Sequence, residues 1–378
     1  MLTALLEKLV RHEDLTDAEA AAAMDEVMSG RAAPSALAAL LSALVMKGER
    51  PTEIVGFARA MRAHSVKLAS PAGEVFDTCG TGGDRSGTFN ISSAAALVIA
   101  ACGVKVAKHG NRSVSSRCGS ADVFEQLGVD IAASPQVVER TLAEAHIAFF
   151  FAPTFHPSMK HAAATRRELG IRTAFNLLGP LTNPAGATRQ LVGVPKSELT
   201  ELLARALLHL GSSRAWVVHG ADGIDEISTT GYTKVSECRA GAVHTFYVHP
   251  SDFGLPKASP AELKGGDAAQ NAAIIREVLD GRRGPARDVV LLNAGAALLI
   301  AGRAPSVQAG IHEAAQAIDS GAARKTLEQM VRGSQRPADD APAGAPVHDA
   351  QSARHGGRSG GPSGPLAPAE GTAGKVVP

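Results

Sequence analysis

From residue 1 to about 68, apolar residues recur only at helical spacing. LTALLEKLV carries one apolar stripe. Thr16 and Glu19 form a capping-box pattern ahead of AEAAAAMDEVM, and Ser29-Gly30 ends that helix. SALAALLSALVMKG and TEIVGFARAMRAHS supply two further helices with Ala/Leu-rich faces, which predicts a compact helical bundle. From Glu74 the rhythm becomes strand, Gly-rich turn, helix. VFD, VKVAKHG, IAFFFAP, RQLVGVP and AWVVHG read as strands. Between them ISSAAALVIAACG, GSADVFEQLG, SPQVVERTLAEA and SELTELLARALLHLG read as helices. Strands alternating with helices predict an α/β domain with a largely parallel central sheet flanked by helices. DAAQNAAIIREVLDG, ARDVVLLNAGAALLIAG and SVQAGIHEAAQAIDSG return to helix. From Ser334 the chain becomes Pro, Gly, Ala and Ser with no aromatic residue, a composition that cannot drive folding.

Composition narrows the function classes. At 378 residues and 45 % hydrophobic, the chain can bury a sizeable core. A formal net charge of +1 and 4 % aromatic residues argue against a nucleic-acid or membrane-surface binder. The four cysteines, Cys79, Cys102, Cys118 and Cys238, form no metal-binding spacing. They suit a reduced, cytoplasmic protein. The start of the chain lacks a signal-peptide pattern, and no apolar run reaches membrane-spanning length.

Three loops concentrate the chemistry. FDTCGTGGDRSGTFNIS places Gly80, Gly82, Gly83 and Gly87 between a strand end and a helix start, with hydroxyl side chains around them. Backbone N–H groups and the positive end of a helix dipole converge there, which suits an anion. The spacing matches neither a Walker A loop nor a dinucleotide fingerprint, and the alternative is an ordinary capped turn. KHGNRSVSSRCGSAD gathers Lys108, His109, Arg112 and Arg117 in a second strand–helix loop. Such loops form the ligand crevice of a parallel sheet. HGADGIDEIS gathers Asp222, Asp225 and Glu226 at a strand end, and hard carboxylate oxygens suit Mg2+ when a phosphate ligand is near. In a fourth segment, HPSMKHAAATRRELGIRTAFNLLGPLTNP, Arg166 or Arg167 has the fork geometry to read a substrate carboxylate.

Taken in order, these segments resemble the anthranilate phosphoribosyltransferase family of tryptophan biosynthesis, as do GGDAAQNAAIIREVL and GPARDVVLLNAGAALLIAG. The resemblance spans residues 1 to about 333. It implies a small helical domain over 1–70, joined by part of 160–190, and an α/β domain over 71–333 that binds phosphoribosyl pyrophosphate. Outside the resemblance, the composition of residues 334–378 predicts a disordered tail. The resemblance further implies a homodimer. Phosphoribosyl pyrophosphate would be met by Gly80, Gly83, Asp84, Thr88, Asn90, Ile91, Ser92 and Ser93. From the basic loop Lys108, His109, Gly110, Asn111, Arg112, Ser113, Val114, Ser115 and Ser116 would join them, with Ser120. Gly80, Asn111 and Arg166 would meet anthranilate. Ser92, Asp225 and Glu226 would hold Mg2+, two ions per subunit.

The implied reaction moves phosphoribose to the anthranilate amine and releases pyrophosphate. Its main burden is charge on the departing group, which metal, loop amides and Lys108 or Arg112 would stabilise. An aromatic amine is unprotonated at neutral pH, so His109 has only to orient it or take up its proton. Two other readings are a pyrimidine nucleoside phosphorylase of the same fold and a non-catalytic relative that binds nucleic acid. The complete acidic and NLLGPLTNP segments oppose the first, and near-zero net charge opposes the second.

Overall fold

The computed structural model describes residues 2–69, 72–113 and 117–337. The expectations for Val114, Ser115 and Ser116, and for the chain from 338 to 378, lie outside the described residues.

Four helices open the chain: α1 (Leu2–Val10), α2 (Asp17–Met28), α3 (Pro34–Lys47) and α4 (Pro51–Ala63). The capping box is present, with the Thr16 side chain accepting from the Glu19 N–H. Leu37, Leu40, Leu41 and Leu44 give α3 one buried face. A single carboxylate, Glu53, is sealed beneath these helices. It is satisfied by the Leu15 N–H at 2.9 Å, the Arg50 N–H at 2.8 Å and Lys47 Nζ at 3.1 Å.

The α/β part begins with β1 (Phe76–Asp77), α5 (Ile91–Ala101), β2 (Val106–Gly110), α6 (Ser120–Gln126), α7 (Pro135–Ala145) and β3 (Ile147–Phe151). A one-turn helix α8 (Ala152–Phe155), α9 (Lys160–Leu169) and one-turn α10 (Phe175–Leu178) follow. Helix α9 packs on α2 and α3, so it leaves the sheet for the helical bundle. The chain returns through β4 (Arg189–Gly193), α11 (Leu199–His209), β5 (Arg214–Gly220), β6 (Thr233–Arg239) and β7 (Ala242–Val248). Four helices end it: α12 (Ala268–Leu279), α13 (Pro285–Ile300), α14 (Val307–Asp319) and α15 (Ala322–Gln335).

The sheet has seven strands in the order β3-β2-β1-β4-β5-β6-β7. The first five are parallel, and β6 and β7 are antiparallel additions at one edge. Side chains alternate between two cores with the period of a strand. Leu191, Trp216 and Val218 face α5 and the C-terminal helices, while Val192 and Val217 face α11 and the helical bundle. The architecture is therefore an α/β domain with a largely parallel sheet, preceded by a helical one. Two features add to the expected pattern. The β6–β7 hairpin was not among the expected strands, and α15 carries the fold to Gln335. Ser334 is buried and its hydroxyl accepts from the Asp130 N–H at 3.0 Å, so the folded chain extends past the expected tail boundary.

Candidate active site

Strand order reverses between β1 and β4, and the loops leaving their C-terminal ends therefore part to form a crevice. The glycine loop rises from β1 and leans on β4. The Thr81 N–H donates to the Gly193 carbonyl at 2.9 Å. Gly82, Gly83 and Gly87 have φ of 63°, 83° and 69°, a left-handed backbone that side chains resist. The far side of the loop is tied to residues 263–265. The Phe89 N–H reaches the Leu263 carbonyl at 3.1 Å, and the Gly265 N–H reaches the Gly87 carbonyl at 3.0 Å. The loop thus ends in α5 with a fixed shape.

Behind it, the loop after β5 is drawn in close. A Cβ on Gly193 would stand 1.5 Å from the Asp225 carbonyl oxygen, so only glycine lets these backbones meet. Asp84, Asp225 and Glu226 bring carboxylate oxygens within 4.8 Å of one another. Burial, then the charge of Asp84, push the Asp225 carboxyl up to about 6, although the Gly82 N–H bonds to it. Glu226 is raised well above the usual carboxylate range by burial and by both aspartates. It shares a hydrogen bond with Asp225, which requires one of the pair to hold a proton. Asp84 Oδ2 and Glu226 Oε2 are shielded from solvent without a partner among the described residues. Hard oxygen donors with unspent lone pairs and mutual repulsion are what a divalent cation would relieve. Asp222, expected to form the acidic cluster with Asp225 and Glu226, is elsewhere occupied. Its carboxylate accepts the Ser228 hydroxyl at 2.9 Å and the Thr230 hydroxyl, closing the turn, and Asp84 takes the third place.

Lys108 is almost fully buried under the glycine loop and donates to the Thr78 carbonyl at 3.0 Å. Its charge acts on both Asp77 and Glu226. Asp77, raised to about 6 mainly by burial, accepts from the His109 N–H at 3.2 Å and from Asn183 at 2.7 Å. This pins the end of β2 to the Pro/Asn turn. His109 Nδ1 lies 3.0 Å from the Gly179 carbonyl, an acceptor, so Nδ1 carries the proton. His156 is held in the same way by the Thr182 carbonyl. The two rings stand 5.2 Å apart, and both Nε2 atoms are buried without a partner among the described residues. Burial holds His109 down at about 3 and His156 at about 4, so two neutral imidazoles present free lone pairs side by side.

The comparisons with known proteins converge. Residues 3–65 match the helical bundle domain of the glycosyl transferase family, and residues 72–324 match its a/b domain. Anthranilate phosphoribosyltransferase of Moorella thermoacetica is 56 % identical over 331 residues, covering 88 % of this chain and 98 % of that one. The chain belongs to the anthranilate phosphoribosyltransferase family. The structure of the family member from Thermus thermophilus superposes with a TM-score of 0.82 at 44 % identity, over 88 % of this chain and 99 % of that one. The Saccharomyces cerevisiae enzyme, solved in complex with PRPP and Mg, gives a TM-score of 0.80 at 29 % identity over 88 % and 97 %.

The remaining expected residues fall into three groups in this anthranilate phosphoribosyltransferase fold. Gly80, Thr88, Asn90, Ser92 and Ser93 lie with the glycine loop and the start of α5. The Ser93 hydroxyl is buried without a partner among the described residues, and the Ile91 side chain is spent in the core. Asn90 is turned toward Cys118 and Asn271, at 3.3 and 2.9 Å. Gly110, Asn111, Ser113 and Ser120 shape the basic loop, which Asp122 organises through the Ser113 and Gly119 N–H groups. Arg112 points to its outer side, paired with Asp122 at 2.9 Å and with Glu125 at 2.8 Å, away from the acid trio. Arg166 is half-buried, with its guanidinium 5.0 Å from the centre of the Phe175 ring, and burial lowers its pKa. Among the described residues no carboxylate pairs with it. Sequence reasoning missed His156 as a neighbour of His109, Asp77 as the anchor of β2, and Arg172. The Arg172 guanidinium lies on Gly83, and the charges of Asp225 and Asp84 act on it.

Proposed function

We propose that the chain transfers phosphoribose from phosphoribosyl pyrophosphate to the amine of anthranilate. The C1–O bond to pyrophosphate breaks, a C1–N bond forms, and the amine loses one proton. The observation that carries this reading is the acid trio Asp84, Asp225 and Glu226, set against a glycine loop at the switch point of the sheet. Its unpartnered oxygens fit Mg2+, with Ser92 a further oxygen ligand from the start of α5. Two ions per subunit suit three carboxylates. Bound Mg2+ supplies charge neutralisation for the pyrophosphate.

The protein's own groups do the rest. Glycine-loop amides and the N-terminus of α5 bind phosphate oxygens. Lys108 holds the loop from beneath and adds positive charge where negative charge develops on the leaving group. Gly110, Asn111, Ser113, Val114, Ser115, Ser116 and Ser120 would complete the donor site. For Arg112 to meet the donor, its guanidinium has to exchange Asp122 and Glu125 for phosphate. Arg166 binds the acceptor carboxylate, with Gly80 and Asn111 beside it, and so fixes the amine in line with C1. The free Nε2 of His109 accepts an amine N–H and takes the proton as the C–N bond forms. A weak base suffices, because an N-protonated arylamine is strongly acidic.

A nucleoside phosphorylase transfers to inorganic phosphate and gives the acid trio no task, so it is the weaker reading. Val10 on α1 and Met46 on α3 are 73 % and 80 % exposed, and we assign these apolar side chains to a homodimer contact. Among the described residues no helix is long and apolar enough to cross a membrane. Loss of anthranilate fluorescence, followed with phosphoribosyl pyrophosphate and with or without Mg2+, tests the reaction. Consumption only with Mg2+ supports it, and no consumption at any enzyme concentration overturns it.

A further inference from the structure

Arg172 is exposed beside the glycine loop and, among the described residues, has no ion-pair partner. It follows α9 after the left-handed turn at Gly170, so one helix end carries both Arg166 and Arg172. A Cβ on Gly83 would stand 1.6 Å from Arg172 Nη1, which places the guanidinium directly on the crown of the glycine loop. The charges of Asp225 and Asp84 pull on it and that of Arg85 opposes them. It nevertheless closes no ion pair within 4.0 Å among the described residues. Two arginines elsewhere in the domain are saturated by contrast. Arg287 is bidentate to Asp319 at 2.6 and 2.9 Å, and Arg214 holds Glu237 at 2.8 Å. Arg172 therefore sits inside the field of the acid trio but short of bonding distance, with its donors unspent.

We propose that Arg172 binds the pyrophosphate leaving group on the side away from the metal, and that in the donor-free enzyme it serves as the counter-charge of the acid trio. The inference rests on the phosphoribosyl-transfer reading above. A bound donor then gives alternating charge: carboxylates, Mg2+, pyrophosphate, guanidinium. The planar fork suits phosphate oxygens, and the contact strengthens as the C1–O bond breaks and the leaving group gains charge. Gly83 thus has two duties. It adopts φ of 83°, and it leaves the Cα bare so that Arg172 can lie over the loop.

Two affinities distinguish this role from a structural one, because they move in opposite directions. Pyrophosphate binding in excess Mg2+ is measured by calorimetry, and metal binding to the donor-free enzyme by Mn2+ paramagnetic resonance. Arg172→Met is expected to weaken pyrophosphate about ten- to a hundredfold. It is expected to tighten Mn2+ about three- to tenfold, because a competing cation has gone. Arg172→Lys keeps the charge, so Mn2+ affinity returns to the wild-type value while pyrophosphate affinity recovers only in part. It also carries the test if the methionine variant is unstable. Unchanged pyrophosphate affinity in Arg172→Met, or both affinities falling together, overturns the proposal. Failure of the wild-type enzyme to bind pyrophosphate with Mg2+ overturns the functional reading itself.

Discussion

Asp84 in the glycine loop and Asp225 in the loop after β5 bring carboxylate oxygens within 4.8 Å of each other, with Glu226 as the third member. Two loops far apart in sequence are thereby linked through an electrostatic conflict. The conflict has a sign. Asp225 titrates near 6 in the fold, against an unfolded value of about 4. Between these values the native state holds more protons than the unfolded one, so stability falls as pH rises through the window. Above it, the metal-free fold carries the full penalty.

Replacing Asp225 by Asn should therefore raise the melting temperature of the metal-free enzyme at pH 8, by about 2–4 °C for each kcal/mol relieved. The gain should vanish at pH 5, where Asp225 is already protonated. His109 and His156 are common to both proteins and cancel in this difference. Added Mg2+ should stabilise only the wild type. Asp225→Asn should also lose at least about a hundredfold in Mg2+-dependent kcat. Equal melting curves at pH 8 and intact turnover would remove Asp225 from the metal site.

The proton shared by Asp225 and Glu226 must leave when a cation takes its place. Calorimetry of Mg2+ binding in buffers of different ionisation enthalpy should show proton release at pH 6. Affinity should weaken steadily as pH falls below 6, because protons then compete for the same oxygens. Metal binding indifferent to pH between 5 and 7 would contradict the shared-proton description.

Neutral His109 and His156 make a different forecast. With ionisation held down at about 3 and 4, neither ring changes charge between pH 6 and 9. At saturating Mg2+, kcat/KM for anthranilate should show no imidazole step in that range. His109→Asn separates two roles for Nε2. A loss of about tenfold marks an acceptor that orients the amine, and about a hundredfold or more marks the base. KM for phosphoribosyl pyrophosphate should stay near the wild-type value in either case. Unchanged kcat/KM would dismiss both roles.

The Arg166 guanidinium lies over the Phe175 ring with no carboxylate partner among the described residues, and burial already disfavours its charge. Such a guanidinium gains most from a carboxylate that arrives with the substrate. Arg166→Lys keeps the charge but loses the fork and the stacking face, and should raise KM for anthranilate about tenfold or more. The kcat at saturating anthranilate should change little. A fall in kcat with KM unmoved would place Arg166 in the chemistry instead.

Local signals made much of this molecule legible. Strand–turn–helix rhythm located β1 to β5, because buried parallel strands read as apolar runs bounded by turns. The loops at their ends followed from position alone. The β6–β7 hairpin escaped because its faces mix polar and apolar residues, and β7 is largely exposed in its middle at His244 and Thr245. Asp84 in the acid trio and the pairing of His109 with His156 depend on strand order, which brings distant segments to one crevice. Arg172 offered still less, since it stays exposed and only the fold lays it over Gly83. Asp222 misled for the opposite reason. Three acids crowded in sequence suggested one cluster, whereas the turn needed one of them for Ser228 and Thr230.

The end of the folded chain gives a final, purely structural forecast. Helix α15 packs on α5 and α7 and buries Ala323, Leu327 and Met330. Ser334 caps the Asp130 N–H, and Arg140 donates to the carbonyls of Arg336 and Pro337 at 3.0 and 3.1 Å. A protein ending at Pro337 keeps all of these contacts and should match the full-length chain in melting temperature and kcat. Ser334→Ala removes one hydrogen bond and should cost about 1 kcal/mol, read as a shift of about 2–4 °C. Ending the chain at Gly321 strips three buried side chains from the main core and should abolish cooperative unfolding or lower its midpoint by more than about 10 °C. If ending at Pro337 lowers kcat severalfold, residues 338–378 contribute to the active enzyme; if ending at Gly321 is tolerated, α15 is not part of the folding unit.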